Sequence, residues 1–255
     1  MRLLADCGNT SIKLALAHDG GIWSHARVEP TPQGIGAFVQ PHLAALDELV
    51  CLAGSARHAA VLAAWWAGAS ARPLRTIGRD LAVPALGQYP GCGVDRVLAG
   101  LVAVPQEGRS VVVVDAGTAT TLTAWLLAPD ATPAVRFGGG LIAPGVGACS
   151  AGLSQLAPVL PMVTPSAFTV SSQQHDTRGA LAAALGIGYP ALVGALRDRL
   201  VADAGITRCL LTGGNAGLLL EAGVFARIDY RPTLVMEGIE EWCRRSPPAP
   251  APPQP

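Results

Sequence analysis

The sequence predicts an α/β protein made of two similar domains with a ligand bound between them. The first observation behind this prediction is the stretch Val111 to Thr123, VVVVDAGTATTLT. Its four-valine run has the composition of a buried strand, and that strand delivers the carboxylate of Asp115 to a turn of small residues.

The second observation is that this pattern occurs twice. Leu3 to Ser11 aligns with Val112 to Thr120, so that a strand, an aspartate, a small residue, a glycine and a hydroxyl-bearing turn coincide. The next apolar strands, Ile12 to Ala17 and Thr121 to Leu126, then match as well. A repeat spaced by roughly half the chain predicts two related domains, and ligands are commonly bound where two domains meet.

The turn in each repeat suits a phosphate. Gly117 permits a tight reversal, and the N–H groups and hydroxyls of Thr118, Thr120 and Thr121 are then available to an anion. For this stretch alone, an ordinary β-hairpin with a threonine-rich second strand is an equal alternative. The repeat favours the phosphate turn.

Composition excludes several classes of protein. The 255 residues are 50% hydrophobic and 14% charged, which is ample for buried cores in one large or two small domains. Lysine and arginine number 18, as do aspartate and glutamate, so no net charge favours nucleic acid or an anionic membrane as a partner. The six cysteines are scattered without a Cys-x-x-Cys pair, which argues against a zinc site and a disulfide framework and fits a cytoplasmic protein.

The first half of the chain reads as a three-stranded meander followed by helices and strands in alternation. Met1 to Ala17 forms the first hairpin, and Trp23 to Val28 forms the third strand. The next elements are a helix, a strand and a helix at Gln33 to Leu46, Leu49 to Ala53 and His58 to Trp66. Extended and turn-like signals between Arg72 and Gly93 lead into an apolar helix at Val97 to Val102.

The second half opens with the strand pair of Val111 to Leu127 and a short strand at Ala134 to Phe137. The glycines at 138–140 allow a ligand or another backbone to approach closely. The remaining elements are a helix near Cys149 to Leu156, a helical region at Gly179 to Ala202, and a strand at Cys209 to Thr212. The glycine pair that follows this last strand could admit a base or a ribose against bare backbone.

The predicted domains are residues 1–108 and 109–245, with the boundary in the polar segment Pro105 to Arg109. Residues 246–255, SPPAPAPPQP, are expected to be disordered. Gly179 to Leu196 carries no charge and is nearly long enough to span a membrane, but glycines and Pro190 interrupt it. It is interpreted as a buried helix of a soluble protein.

Together the motifs resemble those of type III pantothenate kinase, a bacterial family that also includes proteins called Bvg accessory factors. Each motif is weak alone, but they run in family order over nearly the whole chain. The matching segments are Asp6-Cys7-Gly8-Asn9-Thr10-Ser11-Ile12-Lys13, Tyr89 with Gly93-Val94-Asp95-Arg96, Asp115-Ala116-Gly117-Thr118-Ala119-Thr120, Gly139-Gly140-Leu141-Ile142-Ala143-Pro144-Gly145, Thr177, and Thr212-Gly213-Gly214-Asn215-Ala216.

The resemblance implies two ribonuclease-H-like domains of the actin, sugar-kinase and Hsp70 superfamily, with a ligand cleft between them, in a homodimer. It implies ATP-dependent phosphorylation of pantothenate to 4'-phosphopantothenate, the first step of coenzyme A biosynthesis. The implied cofactors are Mg²⁺ and a monovalent cation, K⁺ or NH₄⁺. The chain departs from the family pattern at Val94, in the short segment between Tyr89 and Asp95, and at Asp176, where the family usually has Asn.

The resemblance assigns ATP and phosphate binding to Asp6, Cys7, Gly8, Asn9, Thr10, Ser11, Ile12, Lys13 and Thr118. Asp6 would hold Mg²⁺ through water, since magnesium commonly binds one or two carboxylates and keeps several waters. A structural aspartate that caps the turn is the alternative. Lys13 either neutralises phosphate or is a solvated strand residue, and Asp115 is implied as the ligand of the monovalent cation.

The pantothenate side is assigned to Tyr89, Gly93, Val94, Asp95, Arg96 and Thr177. Asp95 would be the general base that accepts the proton of the primary hydroxyl of pantothenate. Arg96 would hold the carboxylate of pantothenate with its planar two-donor fork. The alternative is that Asp95 and Arg96 cap the helix that starts near Val97, because acidic residues are favoured at helix N-termini.

Two other functions stay open at this point. One is a kinase or phosphatase of the same superfamily with another small substrate, which the GVDR segment with Tyr89 argues against. The other is a nucleotide-binding regulator without turnover, which the carboxylates of Asp6, Asp95 and Asp115 argue against. The histidines His18, His25, His58 and His175 have no spaced partners and are interpreted as surface or hydrogen-bonded residues.

Overall fold

The computed structural model describes residues 1–164, 171–225 and 228–246. Contacts divide the chain into two compact units, Met1–Val102 with the chain from Thr233 onward, and Ala103–Pro232. The first break lies six residues before the sequence-based boundary (102 against 108), and the last helix belongs to the first unit rather than to the second. Of the predicted tail, residues 247–255 lie outside the described residues.

The first unit is built on a five-stranded mixed sheet. Its strands are β1 (Arg2–Cys7), β2 (Ile12–His18), β3 (Gly21–Val28), β4 (Glu48–Leu52) and β5 (Leu74–Thr76). Their order is β3-β2-β1-β4-β5, with the first three strands antiparallel and β4 and β5 parallel to β1. The helices are α1 (Pro32–Val39), a 3-10 helix (Gln40–Ala45), α2 (Ala56–Ala69) and α3 (Val94–Glu107). The break after residue 102 falls within α3.

The second unit repeats this plan. Its elements are β6 (Val111–Ala116), β7 (Ala119–Leu127), β8 (Val135–Pro144), α4 (Val146–Leu156), α5 (Thr177–Ala204), β9 (Cys209–Thr212), α6 (Ala216–Glu221) and β10 (Asp229–Tyr230). The strand order β10-β9-β6-β7-β8 is that of the first sheet, with an antiparallel meander and two parallel strands. The predicted class, an α/β protein of two similar halves, is confirmed, and each half contains a five-stranded mixed sheet.

The strand registers correct one part of the sequence repeat. Cys7 pairs with Ile12, whereas its counterpart Ala116 pairs with Thr120, so the second turn is one residue shorter than the first. The alignment of Ile12 with Thr121 was therefore wrong by one position. The burial pattern agrees with this shift. Starting at Ile12 and at Thr120, the same pattern occurs: one buried residue, one partly buried residue and then four buried residues.

Each unit has its own hydrophobic core. In the first, strand residues such as Leu3, Leu14 and Leu49 pack with Leu62 and Trp66 of α2. In the second, strand residues pack against α5 and α6; examples are Val112, Val114, Tyr189, Val193 and Leu219. Burial of this apolar surface is the main stabilising contribution to each unit.

Two predicted features of the second half differ in the structure. Strand β8 continues beyond the predicted strand end at Phe137 and includes the glycine triplet, and a Cβ on Gly138 would meet Leu126 and the Ala124 carbonyl at 3.0–3.2 Å. The glycine thus serves close approach of a neighbouring strand. The apolar segment forms one continuous helix, α5, that includes Pro190 and is long and apolar enough to cross a membrane. It buries Tyr189, Val193 and Leu200 in the second unit and is a partly buried core helix.

The last helix, α7 (Leu234–Arg245), packs on the first unit, which explains the division of the chain. The Glu240 carboxylate accepts a hydrogen bond of 2.8 Å from Arg2 of β1. A Cβ on Gly238 would lie 2.2 Å from the Leu98 carbonyl oxygen of α3, so only a glycine fits this contact. No helix or strand was predicted for this segment.

Candidate active site

The first turn joins β1 to β2 at residues 8–11. Asn9 and Thr10 are exposed, whereas Gly8 and Ser11 are partly buried. The side chains of Cys7 and Ile12 are fully buried in the core, so these two predicted ATP residues can offer a ligand only their backbone. The Cys7 thiol lies 3.6 Å from that of Cys51, and all six cysteines are free thiols.

Asp6 and Lys13 form an ion pair beside this turn. They are direct partners across β1 and β2, and the Lys13 ammonium donates to a carboxylate oxygen of Asp6 at 2.9 Å. Asp6 is 7% exposed, whereas the Lys13 side chain is 35% exposed. A buried carboxylate needs such a partner to remain charged. Lys13 is therefore not simply a solvated strand residue.

Helix α2 holds the back of the first turn. The Ser55 N–H donates to the Cys7 carbonyl at 2.6 Å, and the His58 imidazole Nδ1 donates to the Gly8 carbonyl at 2.6 Å. His58 is only 8% exposed, and its backbone N–H is capped by the Ser55 hydroxyl. The interpretation of His58 as a hydrogen-bonded histidine is confirmed, but its contact with the turn was missed, because no local motif marks it.

The predicted general base lies in the first turn of α3. An Asp95 carboxylate oxygen accepts the Arg96 N–H at 2.8 Å, and a Cβ on Gly93 would lie 2.4 Å from that oxygen. Gly93 thus leaves the space that the carboxylate occupies. The Arg96 guanidinium is buried and donates to the Tyr89 hydroxyl at 2.9 Å, while the Tyr89 side chain is 45% exposed.

Burial raises the pKa of Asp95 above its ordinary value, and the negative charge of Asp6 acts in the same direction. The hydrogen bond from the Arg96 N–H and the positive charges of Lys13 and Arg96 oppose the rise without cancelling it. The first unit therefore brings Asp6, Lys13, Asp95 and Arg96 within electrostatic range of one another. A carboxylate with a raised pKa is a stronger proton acceptor.

The second turn is enclosed by residues from two other segments. The Asn215 N–H donates to the Ala116 carbonyl at 2.8 Å, and the Asn215 side-chain amide donates to the Gly117 carbonyl at 2.9 Å. The Gly145 N–H donates to the Thr118 carbonyl at 3.0 Å, and a Cβ on Gly145 would lie 2.2 Å from the Gly117 oxygen. The GLIAPG and TGGNA motifs thus both contribute to the shape of this turn.

Asp115 occupies the place in the second repeat that Asp6 has in the first. Its partner across the strands is the neutral Thr121, where Asp6 faces Lys13. Gly213 has φ +98°, and a Cβ there would lie 2.4 Å from an Asp115 carboxylate oxygen. Thr118 is exposed, but Thr120 is fully buried and its hydroxyl bonds to that of Tyr189 at 2.7 Å. Thr120 therefore faces the core rather than a ligand, against the expectation for this turn.

Thr177 is the first residue of α5 and is exposed. Asp176 caps the helix, because its carboxylate accepts the Gly179 N–H at 2.8 Å. Asn and Asp cap helices about equally well, so the departure from the family pattern keeps this contact. Within the described ranges, no group of three or more His, Cys, Asp or Glu side chains could hold a metal ion by itself.

The chain matches the family model described as "Type III pantothenate kinase" over residues 2–199. A protein of that description from Halorhodospira halophila is 31% identical over 261 residues, covering 96% of this chain and 98% of the relative. Another from Thiobacillus denitrificans is 35% identical over 260 residues, covering 95% of this chain and 96% of the relative.

Solved structures share the fold. A Baf family transcriptional activator from Campylobacter jejuni matches with a TM-score of 0.51 and 20% identity, covering 95% of this chain and 98% of that one. The ethanolamine utilization protein EutJ from Carboxydothermus hydrogenoformans matches with a TM-score of 0.52 and 14% identity, covering 94% and 89%. The likeness extends over the two mixed five-stranded sheets and their helices, and it shows the fold alone.

Proposed function

Because the chain belongs to the type III pantothenate kinase family and phosphorylates pantothenate in coenzyme A biosynthesis, we propose that Asp95 is the general base of that reaction. The observation that carries this assignment is the placement of Asp95, a partly buried carboxylate in the first turn of α3, within electrostatic range of Asp6 and Lys13 and with a raised pKa. The family uses ATP, and the two turns are the proposed binding sites of its phosphates.

Asp95 would accept the proton of the primary hydroxyl as its oxygen attacks the terminal phosphorus of ATP, and ADP would leave. A carboxylate within hydrogen-bond reach both takes the proton and aligns the attacking oxygen. Phosphoryl transfer otherwise needs mainly positioning and neutralisation of charge. Lys13, held beside Asp6 at 2.9 Å, would supply part of that positive charge.

Arg96 and Tyr89 would recognise the carboxylate of pantothenate. Arg96 is 5% exposed and its guanidinium donates to the Tyr89 hydroxyl, so it is oriented before a ligand arrives. Arginine binds carboxylates through two parallel hydrogen bonds, which gives orientation as well as affinity. Gly93 and Val94 would shape this side of the site, and Thr177 of the second unit is the remaining proposed pantothenate contact.

The carboxylates at the two strand ends would hold the cations. Asp6 fits Mg²⁺ bound through water, because magnesium often needs only one protein carboxylate. Asp115 would hold K⁺ or NH₄⁺ at the corresponding strand end of the second repeat. When bound, these ions neutralise the phosphates. The proposed ATP contacts are the backbone and hydroxyl groups of the first turn together with Thr118.

A homodimer and a cytoplasmic location complete the proposal. The second unit exposes large apolar side chains on and after α4 and on its neighbours α5 and β8, namely Ile142, Leu153, Leu156, Val159, Met162 and Ile187. An apolar surface of this kind favours association. Free thiols at all six cysteines fit a reducing compartment.

The test is the substitution Asp95→Asn, followed by pantothenate-dependent release of ADP. Asn keeps the size of the side chain and the oxygen that accepts the Arg96 N–H, but it cannot take a proton. Turnover should fall by roughly 100- to 10,000-fold while ATP binding and the fold persist. Near-normal turnover would show that Asp95 acts only as a helix cap.

A further inference from the structure

We propose that His58 and Asn215 are positioning residues that orient the N–H groups of the two phosphate turns without contacting ATP themselves. This inference rests on the proposed assignment of the turns to ATP. Both contacts join residues that are far apart in the sequence, because His58 follows Gly8 by fifty residues and Asn215 follows Gly117 by ninety-eight.

The two repeats use equivalent contacts. Leu52 pairs with Asp6, and Thr212 pairs with Asp115, so Ser55 and Asn215 stand at the same position, three residues after the paired residue. At this position the backbone N–H donates to Cys7 in one unit and to Ala116 in the other, at 2.6 and 2.8 Å. The next carbonyl along each turn then accepts a side-chain N–H.

That second donor comes from different residues. Asn215 supplies it directly, with its amide 2.9 Å from the Gly117 oxygen. In the first unit the equivalent Ser55 uses its hydroxyl to cap α2, and His58, one turn further along the helix, reaches back to the Gly8 oxygen. His Nδ1 and Asn Nδ2 are both bonded to Cγ, so the two side chains present an N–H at the same distance from the backbone.

Because the peptide group is planar, a hydrogen bond to a turn carbonyl also fixes the direction of the next N–H. In a trans peptide the carbonyl oxygen and the N–H of the following residue point in opposite directions. Holding the Gly8 carbonyl against α2 therefore directs the Asn9 N–H away from α2. Holding the Gly117 carbonyl at Asn215 likewise directs the Thr118 N–H away from that residue. Catalysis of phosphoryl transfer depends on donors that are oriented in advance.

The experiment compares His58→Phe with His58→Asn. Phe keeps a ring but removes the donor, whereas Asn restores the donor that the second repeat uses. Affinity for ATP is measured by equilibrium titration without pantothenate, and the KM values of both substrates and kcat are measured separately. His58→Phe should weaken ATP binding by roughly 5- to 100-fold, because it leaves the Gly8 carbonyl without its donor. The KM for pantothenate should stay within about twofold, and His58→Asn should recover most of the loss in ATP affinity.

Two further variants separate positioning from stability. Leu62→Ala removes a buried side chain from the same helix and should lower the melting temperature without changing ATP affinity. Asn215→Leu removes the donor of the second turn and should weaken ATP binding as His58→Phe does. The inference fails if His58→Phe leaves ATP affinity unchanged, or if Leu62→Ala weakens it equally. Wild-type protein that bound no ATP would instead contradict the assignment of the turns, so the two failures are distinct.

Discussion

Burial holds the pKa of Asp95 above 3.8, the ordinary value of an aspartate, so the folded chain takes up a proton at this residue more readily than the unfolded chain does. The charged carboxylate therefore lowers the free energy of unfolding at neutral pH. This cost is fully present above the folded pKa and disappears below about pH 3.8, where both states are protonated.

Asp95→Asn should consequently be more stable than the natural chain at pH 7, although it has lost turnover. The gain in melting temperature should shrink as the pH is lowered toward 4. Thermal unfolding of both proteins across this pH range measures the effect, and a variant less stable than the natural chain at pH 7 would contradict it.

Asp115 gives a second residue-level prediction. If its carboxylate holds a monovalent cation beside the phosphates, the enzyme should be active in K⁺ or NH₄⁺ buffer and should lose most of that activity in Na⁺ or Tris buffer. The reason is that the bound ion offsets the repulsion between the carboxylate and ATP. Asp115→Asn should lose this dependence on K⁺ together with most of the activity. Equal rates of the natural enzyme in all four buffers would remove Asp115 from this role.

The sequence supplied the motif residues but not the contacts that shape the turns. Asp6, Asp95 and Asp115 lie at strand or helix ends, where short motifs mark them. His58 has no motif of its own, and its contact with Gly8 depends on how β4 lies beside β1. Aligning the strand that follows each repeat would have placed position 55 with Asn215 and so drawn attention to this segment.

At the level of elements, the contact between α7 and α3 leads to a prediction about stability. Gly238→Ala would force its Cβ against the Leu98 carbonyl, so one helix must shift. Overpacking of this kind costs about 1–3 kcal/mol, which lowers the melting temperature of a chain of this size by roughly 2–12 °C.

Gly68→Ala is the matched control. Gly68 lies in α2 with no atom within 4 Å of an added Cβ. The alanine should stabilise the helix slightly, by about 0.5–1 kcal/mol, because it restricts the unfolded backbone. Calorimetry that showed the same change for both variants would argue against close packing at Gly238.

Element order was predictable because each repeat begins with a strongly apolar hairpin, but three details were not. The one-residue shortening of the second turn leaves the apolar pattern of β7 almost unchanged, so periodicity could not reveal it. Strand β10 has only two residues and both are exposed. The apolar positions of α7 follow a helical period, so the helix itself could have been predicted. Its packing against β1 could not, because β1 lies at the other end of the sequence.

At the scale of the whole molecule, the exposed apolar side chains of the second unit predict self-association. Leu156 and Val159 are 88% and 89% exposed, and glutamate at either position would place a charge in a contact that excludes water. In sedimentation experiments, Leu156→Glu and Val159→Glu should have the mass of a monomer, whereas the natural protein should have the mass of a dimer. Leu220→Glu, at an exposed position on α6, is the control and should leave the dimer intact. A monomeric natural protein with full activity would contradict the proposal.

The packing of α7 on the first sheet has a consequence for the order in which the chain can fold during synthesis. The ribosome synthesises Ala103–Pro232 before α7, whereas β1, against which α7 packs, is among the first residues to be made. At usual synthesis rates this delay is on the order of ten seconds, far longer than strands and helices need to form. The unit encoded second is therefore the first to have all of its elements available. Until α7 is synthesised, the surface of the first unit on which α7 packs stays exposed.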